Sequence, residues 1–194
     1  MRLILGSGSP RRADVLDRLG LAFDVVAPGV DETRFPDESA GAYVERVARS
    51  KASAVVDDGL VVIAADTAVV VDGKVLGKPG HPEEARSMLR RLQGRRHEVF
   101  TGLALAVGGP DRRLSSVVEA TEVEIVPMTE EEIARYVSGG EPMDKAGAYA
   151  LQGFGGVFVS AVSGSPSNVI GLPVHQLPKL FHQAGLELDT FLAR

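Results

Sequence analysis

A turn rich in glycine and serine near the N-terminus holds the first residues whose types could do chemistry. Ser7 and Ser9 lie in this turn, and Arg11 and Arg12 follow directly. An apolar stretch precedes the turn, and Pro10 after Ser9 predicts the start of a helix with Ser9 as its N-cap. A strand, a small-residue turn and a helix N-terminus direct backbone N–H groups towards an anion. First helical turns favour acidic residues, so the paired arginines predict an anion from outside, with phosphate the natural candidate and a purely structural turn the alternative.

Two acidic residues are the candidates for proton transfer or metal binding. Asp66 ends the most apolar stretch of the chain, residues 60–65, which is typical of a strand buried on both faces. Ligands of open α/β sheets bind beyond the carboxyl ends of strands, where a carboxylate can orient water or hold a metal ion. Glu32 is the second candidate, in a loop bounded by proline and glycine. The alternative for Asp66 is a turn cap without a catalytic role.

Two lysines, Lys51 and Lys78, are predicted beside strand ends, as the arginines are. The chain has 21 Lys and Arg residues against 26 Asp and Glu residues, a net charge of -5, so cations gathered at such places indicate a local role. Cations that screen phosphates, together with carboxylates that hold a divalent ion, suit a triphosphate. A solvated surface is the alternative, because sequence spacing does not show that these residues meet.

Composition limits the classes of function. With 194 residues and 44% hydrophobic content, the chain can form one substantial core or one domain with two lobes. The acidic balance argues against a general nucleic-acid or membrane-surface binder. The absence of cysteine excludes disulfides, thiol catalysis and a cysteine zinc site, and His81 and His97 are too isolated for a zinc pair. Neither a signal-peptide pattern nor a membrane-spanning run is found, so a cytoplasmic protein is expected.

The predicted elements place these residues at strand ends and helix starts. Strands are predicted at residues 3–5, 22–27, 60–65, 97–107, 114–126 and 157–162, with a hairpin turn at residues 72–73. Helices are predicted after Ser9, Ser39 and Thr129, and from Pro82 and about Val174. Strands and helices mix without strict alternation, which predicts an α/β fold with a mixed central sheet, flanking helices and two lobes around a cleft. Residues 1–194 are predicted to form a single domain.

Short motifs run in order through nearly the whole chain. They are Ser-Gly-Ser-Pro-Arg-Arg at residues 7–12, Glu32, Lys-Ala at 51–52, Ala-Asp-Thr at 65–67, Gly-Lys-Pro at 77–79, Thr-Gly at 101–102, Gly-Glu-Pro-Met-Asp-Lys-Ala-Gly-Ala-Tyr at 140–149, Gln-Gly at 152–153 and Asn-Val-Ile-Gly-Leu-Pro at 168–173. Together they resemble the Maf family of nucleotide pyrophosphatases. Gly6 and Pro166 stand where that family usually has alanine and commonly has an aromatic residue, and neither touches the proposed chemistry.

The resemblance implies a fold similar to inosine triphosphate pyrophosphatases and a metal-dependent hydrolysis of nucleoside triphosphates to the monophosphate and pyrophosphate. It implies that Asp66 is the proton acceptor, and that Arg11, Thr67 and Gln152 set the base. Arg, Thr and Gln at these positions resemble the dTTP/UTP subgroup rather than the 7-methyl-GTP subgroup, and modified pyrimidine nucleotides are further candidates. The substrate contacts expected from the residues and the resemblance together are Ser7, Ser9, Arg11, Arg12, Lys51, Thr67, Lys78 and Gln152.

Glu32 and Asp66 are the expected ligands of a divalent cation, Mg or Mn. The expected partner is a small-molecule nucleoside triphosphate, with neither nucleic acid nor membrane, and a homodimer is left open. Two other readings of the function stay open. A nucleotidyltransferase is one, because Leu-Gly-Ser-Gly-Ser at residues 5–9 is faintly similar to the Gly-x-Gly-Thr-Arg turn of sugar-nucleotide synthases. A non-catalytic nucleotide-binding regulator of cell division is the other, given the family's association with septum formation.

Overall fold

The computed structural model describes residues 1–193, which form a mixed α/β fold. Its strands are β1 (Arg2–Leu5), β2 (Asp24–Val25), β3 (Leu60–Val71), β4 (Lys74–Leu76), β5 (Arg96–Val107), β6 (Arg113–Ile125) and β7 (Val159–Ser163). Its α-helices are α1 (Pro10–Arg18), α2 (Ala40–Val55), α3 (Pro82–Leu92), α4 (Glu130–Ser138), α5 (Pro166–Ile170) and α6 (Leu177–Gln183). Short 3₁₀ helices cover Glu141–Asp144, Ala146–Ala148, Phe154–Phe158, Val174–Gln176 and Leu188–Phe191.

The seven strands found in residues 1–193 form one mixed sheet in the order β2-β1-β3-β5-β6-β7, with β4 paired to β3. Strand β1 runs parallel to both β2 and β3, whereas β4 and β7 run antiparallel to β3 and β6. The predicted fold class, a mixed central sheet with flanking helices, is confirmed. The predicted hairpin turn is also present, and positive φ angles of 51° at Asp72 and 70° at Gly73 match the turn that such a tight connection requires.

Contacts divide the chain into two compact units. The first comprises Met1–Asp66, Thr101–Glu119 and the segment from Gly171 onwards, and the second comprises Thr67–Phe100 and Ala120–Ile170. Each unit has a core of its own. The single domain predicted for residues 1–194 is not tested by this division and stays a prediction. Within residues 1–193, no helix has both the length and the apolar character needed to cross a bilayer.

The core of the first unit lies beneath α2. Ala48 and Ala52 of this helix pack against Ile4 of β1 and against Val62 and Ala64 of β3, and all of these side chains are almost completely buried. Small alanine side chains allow the helix to approach the sheet closely, and the branched residues of the strands fill the space between them. The buried face of α2 is therefore fixed in place against the sheet.

Gly102 of β5 brings the backbone of α2 still closer. A Cβ atom at this position would collide with the carbonyl group of Val44. Val44 and Lys51 stand two helical turns apart, so both project from the buried face of α2. Ser39 caps the helix as predicted, since its side chain accepts a hydrogen bond from the Ala42 N–H at 3.2 Å. The close contact sets the height above the sheet at which α2 presents Lys51.

The core of the second unit packs α3 and α4 against its strands. The predicted capping box of α4 is present, with Thr129 and Glu132 each accepting a hydrogen bond from the other's backbone N–H. His97 and Tyr149 form a buried pair in this core, with 2.7 Å between Nε2 and Oη. Burial lowers the pKa of His97 to about 4, so the ring is neutral near pH 7 and belongs to the packing of this unit.

Four predicted elements differ from those observed. The strand predicted at residues 60–65 continues to Val71, so Asp66 lies within β3 rather than at its end. The strand predicted at residues 22–27 is only two residues long, and Val25 is 53% exposed, so apolar residues there do not mark a buried strand. The strand predicted from residue 157 begins at Val159, because the preceding residues coil into a 3₁₀ helix. The helix predicted from about Val174 begins as a 3₁₀ turn and becomes α-helical at Leu177.

Candidate active site

The turn before α1 is organised by Ser7 rather than by Ser9. Ser9 occupies the N-cap position with Pro10 behind it, as predicted, but its side chain makes no capping hydrogen bond. Its backbone N–H instead donates to Ser7 Oγ at 3.2 Å. Ser7 is 3% exposed, so this hydroxyl acts inside the unit and holds the turn closed. The prediction that Ser9 caps α1 is therefore right for the backbone position and wrong for the side chain.

Arg12 is a buried cation rather than a solvated surface residue. Its Nη1 donates to Ser7 Oγ at 3.0 Å, and its Nε donates to the carbonyl oxygen of Gly171 at 2.8 Å. Burial lowers the pKa of Arg12, although the nearby charge of Asp66 acts in the opposite direction. An arginine still keeps its proton in proteins. A positive charge is consequently held in a fixed orientation behind the first turn of α1.

Lys51 joins the two predicted carboxylates. Its Nζ lies 2.8 Å from Asp66 Oδ1 and 2.8 Å from Glu32 Oε1. The side chains of Lys51 and Asp66 are only 8% and 10% exposed, whereas that of Glu32 is 50% exposed. The buried face of α2 thus places the ammonium group of Lys51 beside Asp66 of β3 and beside the loop that carries Glu32.

Asp66 binds its proton more tightly than an ordinary aspartate. Burial raises its pKa above the usual 3.8, and this effect outweighs the opposing charges of Lys51 and Arg12 and the hydrogen bond from Lys51. A buried carboxyl group whose pKa is shifted by desolvation and by specific charged neighbours is typical of functional sites. The shift brings Asp66 nearer to the proton affinity that suits a general base.

These five residues of the first unit, Ser7, Arg12, Glu32, Lys51 and Asp66, form what we call the cation–carboxylate cluster. Arg11 and Ser9 lie on the adjoining start of α1, both partly buried. Sequence spacing left open whether the charged residues of separate segments meet, and the structure brings Lys51 into contact with both Glu32 and Asp66.

The carboxylates of the cluster fit one common way of holding a divalent ion. Within residues 1–193, no group of three or more His, Cys, Asp or Glu side chains is arranged to hold a metal. Magnesium, however, is often held by one or two carboxylates together with substrate phosphate oxygens. Glu32 and Asp66 converge on the same ammonium group, so they offer this donor set.

Three predicted site residues belong to the second unit. Thr67 follows Asp66 directly on β3 and is partly buried. Lys78 is exposed in the segment after β4, where the carbonyl oxygen of Gly77 accepts a hydrogen bond from the Gly147 N–H at 3.1 Å. Gln152 is exposed between two 3₁₀ helices.

Sequence reasoning missed the side chains that hold the segment around Gln152. Glu141 and Tyr136 accept hydrogen bonds from backbone N–H groups on both sides of Gln152. In the sequence, Glu141 stands only as part of the motif at residues 140–149, with no role assigned to it. The glycines at 153, 155 and 156 are the available signal, because a cluster of this kind marks a backbone that other groups approach closely.

The chain is similar to known proteins over most of its length. The family model described as Maf-like protein matches residues 2–184. A dTTP/UTP pyrophosphatase from Anaeromyxobacter dehalogenans (strain 2CP-C) is 53% identical over 192 residues, which cover 96% of either chain. One from Anaeromyxobacter sp. (strain Fw109-5) is 51% identical over 187 residues, covering 95% of this chain and 90% of the relative. The solved structure of a dITP/XTP pyrophosphatase from Mycobacterium abscessus matches 64% of this chain and 74% of its own, with 17% identity and a TM-score of 0.40.

Proposed function

The chain belongs to the Maf-like protein family, and from this premise we propose that it hydrolyses nucleoside triphosphates, above all dTTP and UTP, to the monophosphate and pyrophosphate. The observation that carries the proposal is the buried contact of Lys51 with Asp66, near the charge of Arg12, together with the contact of Lys51 with the half-exposed Glu32. Such a cluster offers both a proton acceptor and positive charge for phosphates. The names of relatives about half identical to this chain support dTTP and UTP as substrates.

Asp66 is the proposed general base. In its ionised form it takes a proton from a water molecule, whose oxygen forms a bond to phosphorus. The bond between that phosphorus and the oxygen that bridges the α- and β-phosphates breaks, and the bridging oxygen leaves with the electron pair. The raised pKa of Asp66 strengthens it as a proton acceptor, and general-base assistance is typically worth ~10²–10⁴-fold in rate. Lys51 favours the ionised form and orients the carboxylate through its hydrogen bond.

The cations of the first unit are the proposed phosphate ligands. Arg12 is already oriented by Ser7 and Gly171, so little ordering is needed when a phosphate binds. Lys51 is able to share its charge between Asp66 and an incoming phosphate oxygen. We assign Arg11, Lys78 and the serines Ser7 and Ser9 to the same task, as the sequence predicts.

A divalent cation, Mg or Mn, would be held by Glu32 and Asp66 together with phosphate oxygens. When bound, this cation would neutralise negative charge on the phosphates. Glu32 is half exposed at the loop surface, which leaves its carboxylate able to move between Lys51 and another cation.

Gln152 and Thr67 are the proposed base-selecting residues, together with Arg11. Uracil and thymine present a carbonyl O4 acceptor beside an N3–H donor, and the amide of Gln152 offers one acceptor and two donors to match them. Modified pyrimidine nucleotides that keep this edge are candidate substrates as well. A cytoplasmic location, a homodimer and a link to septum formation remain predictions from the sequence.

The proposal is tested by incubation with UTP alone, in the presence of magnesium. We expect release of UMP and pyrophosphate without an acceptor sugar, which a nucleotidyltransferase or a non-catalytic regulator would not give. Asp66→Asn, nearly isosteric, should lower the turnover by ~10²-fold or more. Asp58→Asn, at an exposed position, is the matched control and should leave the turnover unchanged. Near-normal turnover in Asp66→Asn would remove this residue from the mechanism.

A further inference from the structure

The geometry of the second unit points to a further specificity residue. We propose that Glu141 is a positioning residue that fixes the segment of residues 150–155, here called the Gln152 loop, and thereby sets how strongly the chain prefers uracil over cytosine. This inference rests on the proposed function, because it assumes that Gln152 contacts the base. Glu141 itself acts only through the backbone of the loop.

The carboxylate of Glu141 accepts three hydrogen bonds that close the loop. Its Oε1 accepts from the Gly155 N–H at 3.0 Å and from the Tyr136 hydroxyl at 2.8 Å. Its Oε2 accepts from the Phe154 N–H at 2.8 Å. These contacts use both oxygens of an ionised carboxylate, and three charge-assisted bonds to one group are stronger than bonds between neutral partners. The C-terminal side of the Gln152 loop is therefore anchored to one side chain.

Tyr136 extends the anchor to the other side of Gln152. Its hydroxyl oxygen accepts a hydrogen bond from the Ala150 N–H at 3.2 Å while its proton goes to Glu141. Tyr136 is 4% exposed on α4, and its ring packs against Phe158 with 5.7 Å between centroids. The backbone is thus held two residues before Gln152 and two residues after it, by two connected side chains.

Glycine residues make these contacts geometrically possible. A Cβ atom at Gly153 would collide with the carboxylate of Glu141, and one at Gly155 would collide with the hydroxyl of Tyr136. The loop therefore wraps directly around the two polar groups, without side chains between. A backbone packed this closely has little freedom to shift.

The charge state of Glu141 agrees with an anchoring role. Burial acts to raise its pKa, but hydrogen bonds from Gly155, Tyr136 and Phe154 outweigh this effect, and the pKa lies below the usual 4.5. The carboxylate is therefore ionised, and able to accept all three bonds, throughout the neutral range. Lys145 supports the same turn, since its Nζ donates to the carbonyl oxygen of Glu141 at 2.7 Å.

A fixed loop decides what the amide of Gln152 can distinguish. An amide that is free to flip meets uracil and cytosine equally well, because it carries a donor and an acceptor side by side. Selectivity between the two bases needs a held orientation, in which the wrong base leaves a polar group unpaired. Because the backbone is anchored on both sides of Gln152, the position from which its side chain extends is fixed.

The test compares kcat/KM for UTP with that for CTP in Glu141→Gln. An amide has one oxygen in place of two, so its NH₂ group must face a backbone N–H or the tyrosine proton, and the loop loses at least one anchor. We expect the UTP-to-CTP ratio to fall about tenfold. Hydrogen exchange should also become faster at the Phe154 and Gly155 amides. Tyr136→Phe, which keeps the ring, should lower the ratio in the same direction and carries the test if Glu141→Gln does not fold.

Two further variants separate positioning from general damage. Glu131→Gln removes a charge from an exposed position of α4 and should leave the ratio at its wild-type value. In a Gln152→Ala background, Glu141→Gln should cause no additional fall in the ratio, because the side chain it positions is gone. Gln152→Ala alone should lower the ratio.

The possible failures differ in what they overturn. If the wild-type chain releases no pyrophosphate from UTP, the proposed function falls and this inference falls with it. If Gln152→Ala lowers the ratio but a folded Glu141→Gln keeps it, only this inference is overturned. It is also overturned if Gln152→Ala leaves the ratio unchanged, or if Glu141→Gln lowers it equally in the Gln152→Ala background.

Discussion

Asp66 in the first unit and Glu141 in the second are both carboxylates held by hydrogen bonds, yet their pKa values shift in opposite directions. Asp66 is 7% exposed, and its burial raises its pKa in spite of the ammonium group of Lys51 at 2.8 Å. Glu141 is less deeply buried and accepts two backbone N–H bonds and a phenol proton, and its pKa is lowered. The balance between burial and the number of donors decides the direction.

The opposite pKa shifts of Asp66 and Glu141 suit two different roles. A carboxylate whose charge is incompletely stabilised holds a proton readily, and this suits a residue that must accept one during a reaction. A carboxylate whose oxygens are bonded by several donors stays ionised and keeps its neighbours in place. The first arrangement favours chemistry at Asp66, and the second favours rigidity at Glu141.

The largest expected effect follows from removing the cation beside Asp66. Lys51→Met should lower kcat/KM for UTP by ~10²-fold or more, since it removes charge stabilisation for the phosphates and the orientation of Asp66. Removing one partner of a buried ion pair typically destabilises a protein by ~3–5 kcal/mol, and protonation of Asp66 will relieve part of this loss. Turnover and urea unfolding at several pH values measure both effects.

A matched control and a double variant sharpen this prediction. Lys179→Met changes an exposed lysine of the same unit and should alter neither turnover nor stability appreciably. Lys51→Met combined with Asp66→Asn should be more stable than Lys51→Met alone, because the buried carboxylate is then gone as well. A double variant as unstable as the sum of the two single variants would contradict the pairing.

A smaller effect is expected from crowding the anchor in the second unit. Gly153→Ala places a methyl group against the carboxylate of Glu141, so either the carboxylate or the loop must shift, and the hydrogen bonds between them are disturbed. Overpacking of this kind typically costs ~1–3 kcal/mol, and the UTP-to-CTP ratio of kcat/KM should fall as in Glu141→Gln. Gly29→Ala is the control, because a Cβ atom there meets nothing within 4 Å. An unchanged ratio in folded Gly153→Ala would show that the loop tolerates displacement.

Asp66 and Glu141 should also change the free energy of unfolding with pH in opposite directions. The folded chain binds the proton of Asp66 more tightly than the unfolded chain does, so this residue makes the free energy of unfolding decrease as the pH rises from 3.8 through its raised pKa. Glu141 binds its proton less tightly when folded, so its contribution is present above 4.5 and is lost as the pH falls through its lowered pKa. Asp66→Asn should remove the first slope and Glu141→Gln the second, as measured by urea unfolding across that range.

The smallest effect is expected at the start of the helix that carries Tyr136. Thr129→Ala removes the capping box of α4 and should lower the free energy of unfolding by ~1 kcal/mol. The UTP-to-CTP ratio should stay at its wild-type value, since Tyr136 lies two turns further along the helix. Thermal unfolding and the two kinetic constants provide the measurement. A changed ratio would mean that stability of the unit, rather than the anchor, controls selectivity.

Local features were predictable because their causes lie within a few residues. The caps at Ser39 and Thr129, the turn at Asp72 and the start of the buried strand at Leu60 all follow from rules of this kind. Contacts between distant segments were not. Arg12 meets the carbonyl group of Gly171, 159 residues away, and no periodicity in the sequence encodes that distance.

The anchor of the Gln152 loop escaped prediction for a related reason. Glu141 is 13 and 14 residues from the N–H groups it binds, across two short 3₁₀ helices and an irregular segment. Irregular backbone has no repeat from which to infer which side chain reaches which N–H group. Lys51 was predicted on a helix near the site, but its pairing with both Glu32 and Asp66 required the structure.

The cation–carboxylate cluster depends on Gly102, a residue that carries no functional group. The missing side chain lets α2 settle onto β5, and the same helix carries Lys51 two turns beyond the point of contact. A search for active-site residues that ranks positions by charge or reactivity would pass over this glycine. A library that diversifies β5 while keeping every charged residue of the cluster would still lose activity in each variant whose residue 102 has a side chain. Grafting the cluster onto another scaffold likewise requires a glycine in the strand beneath the helix.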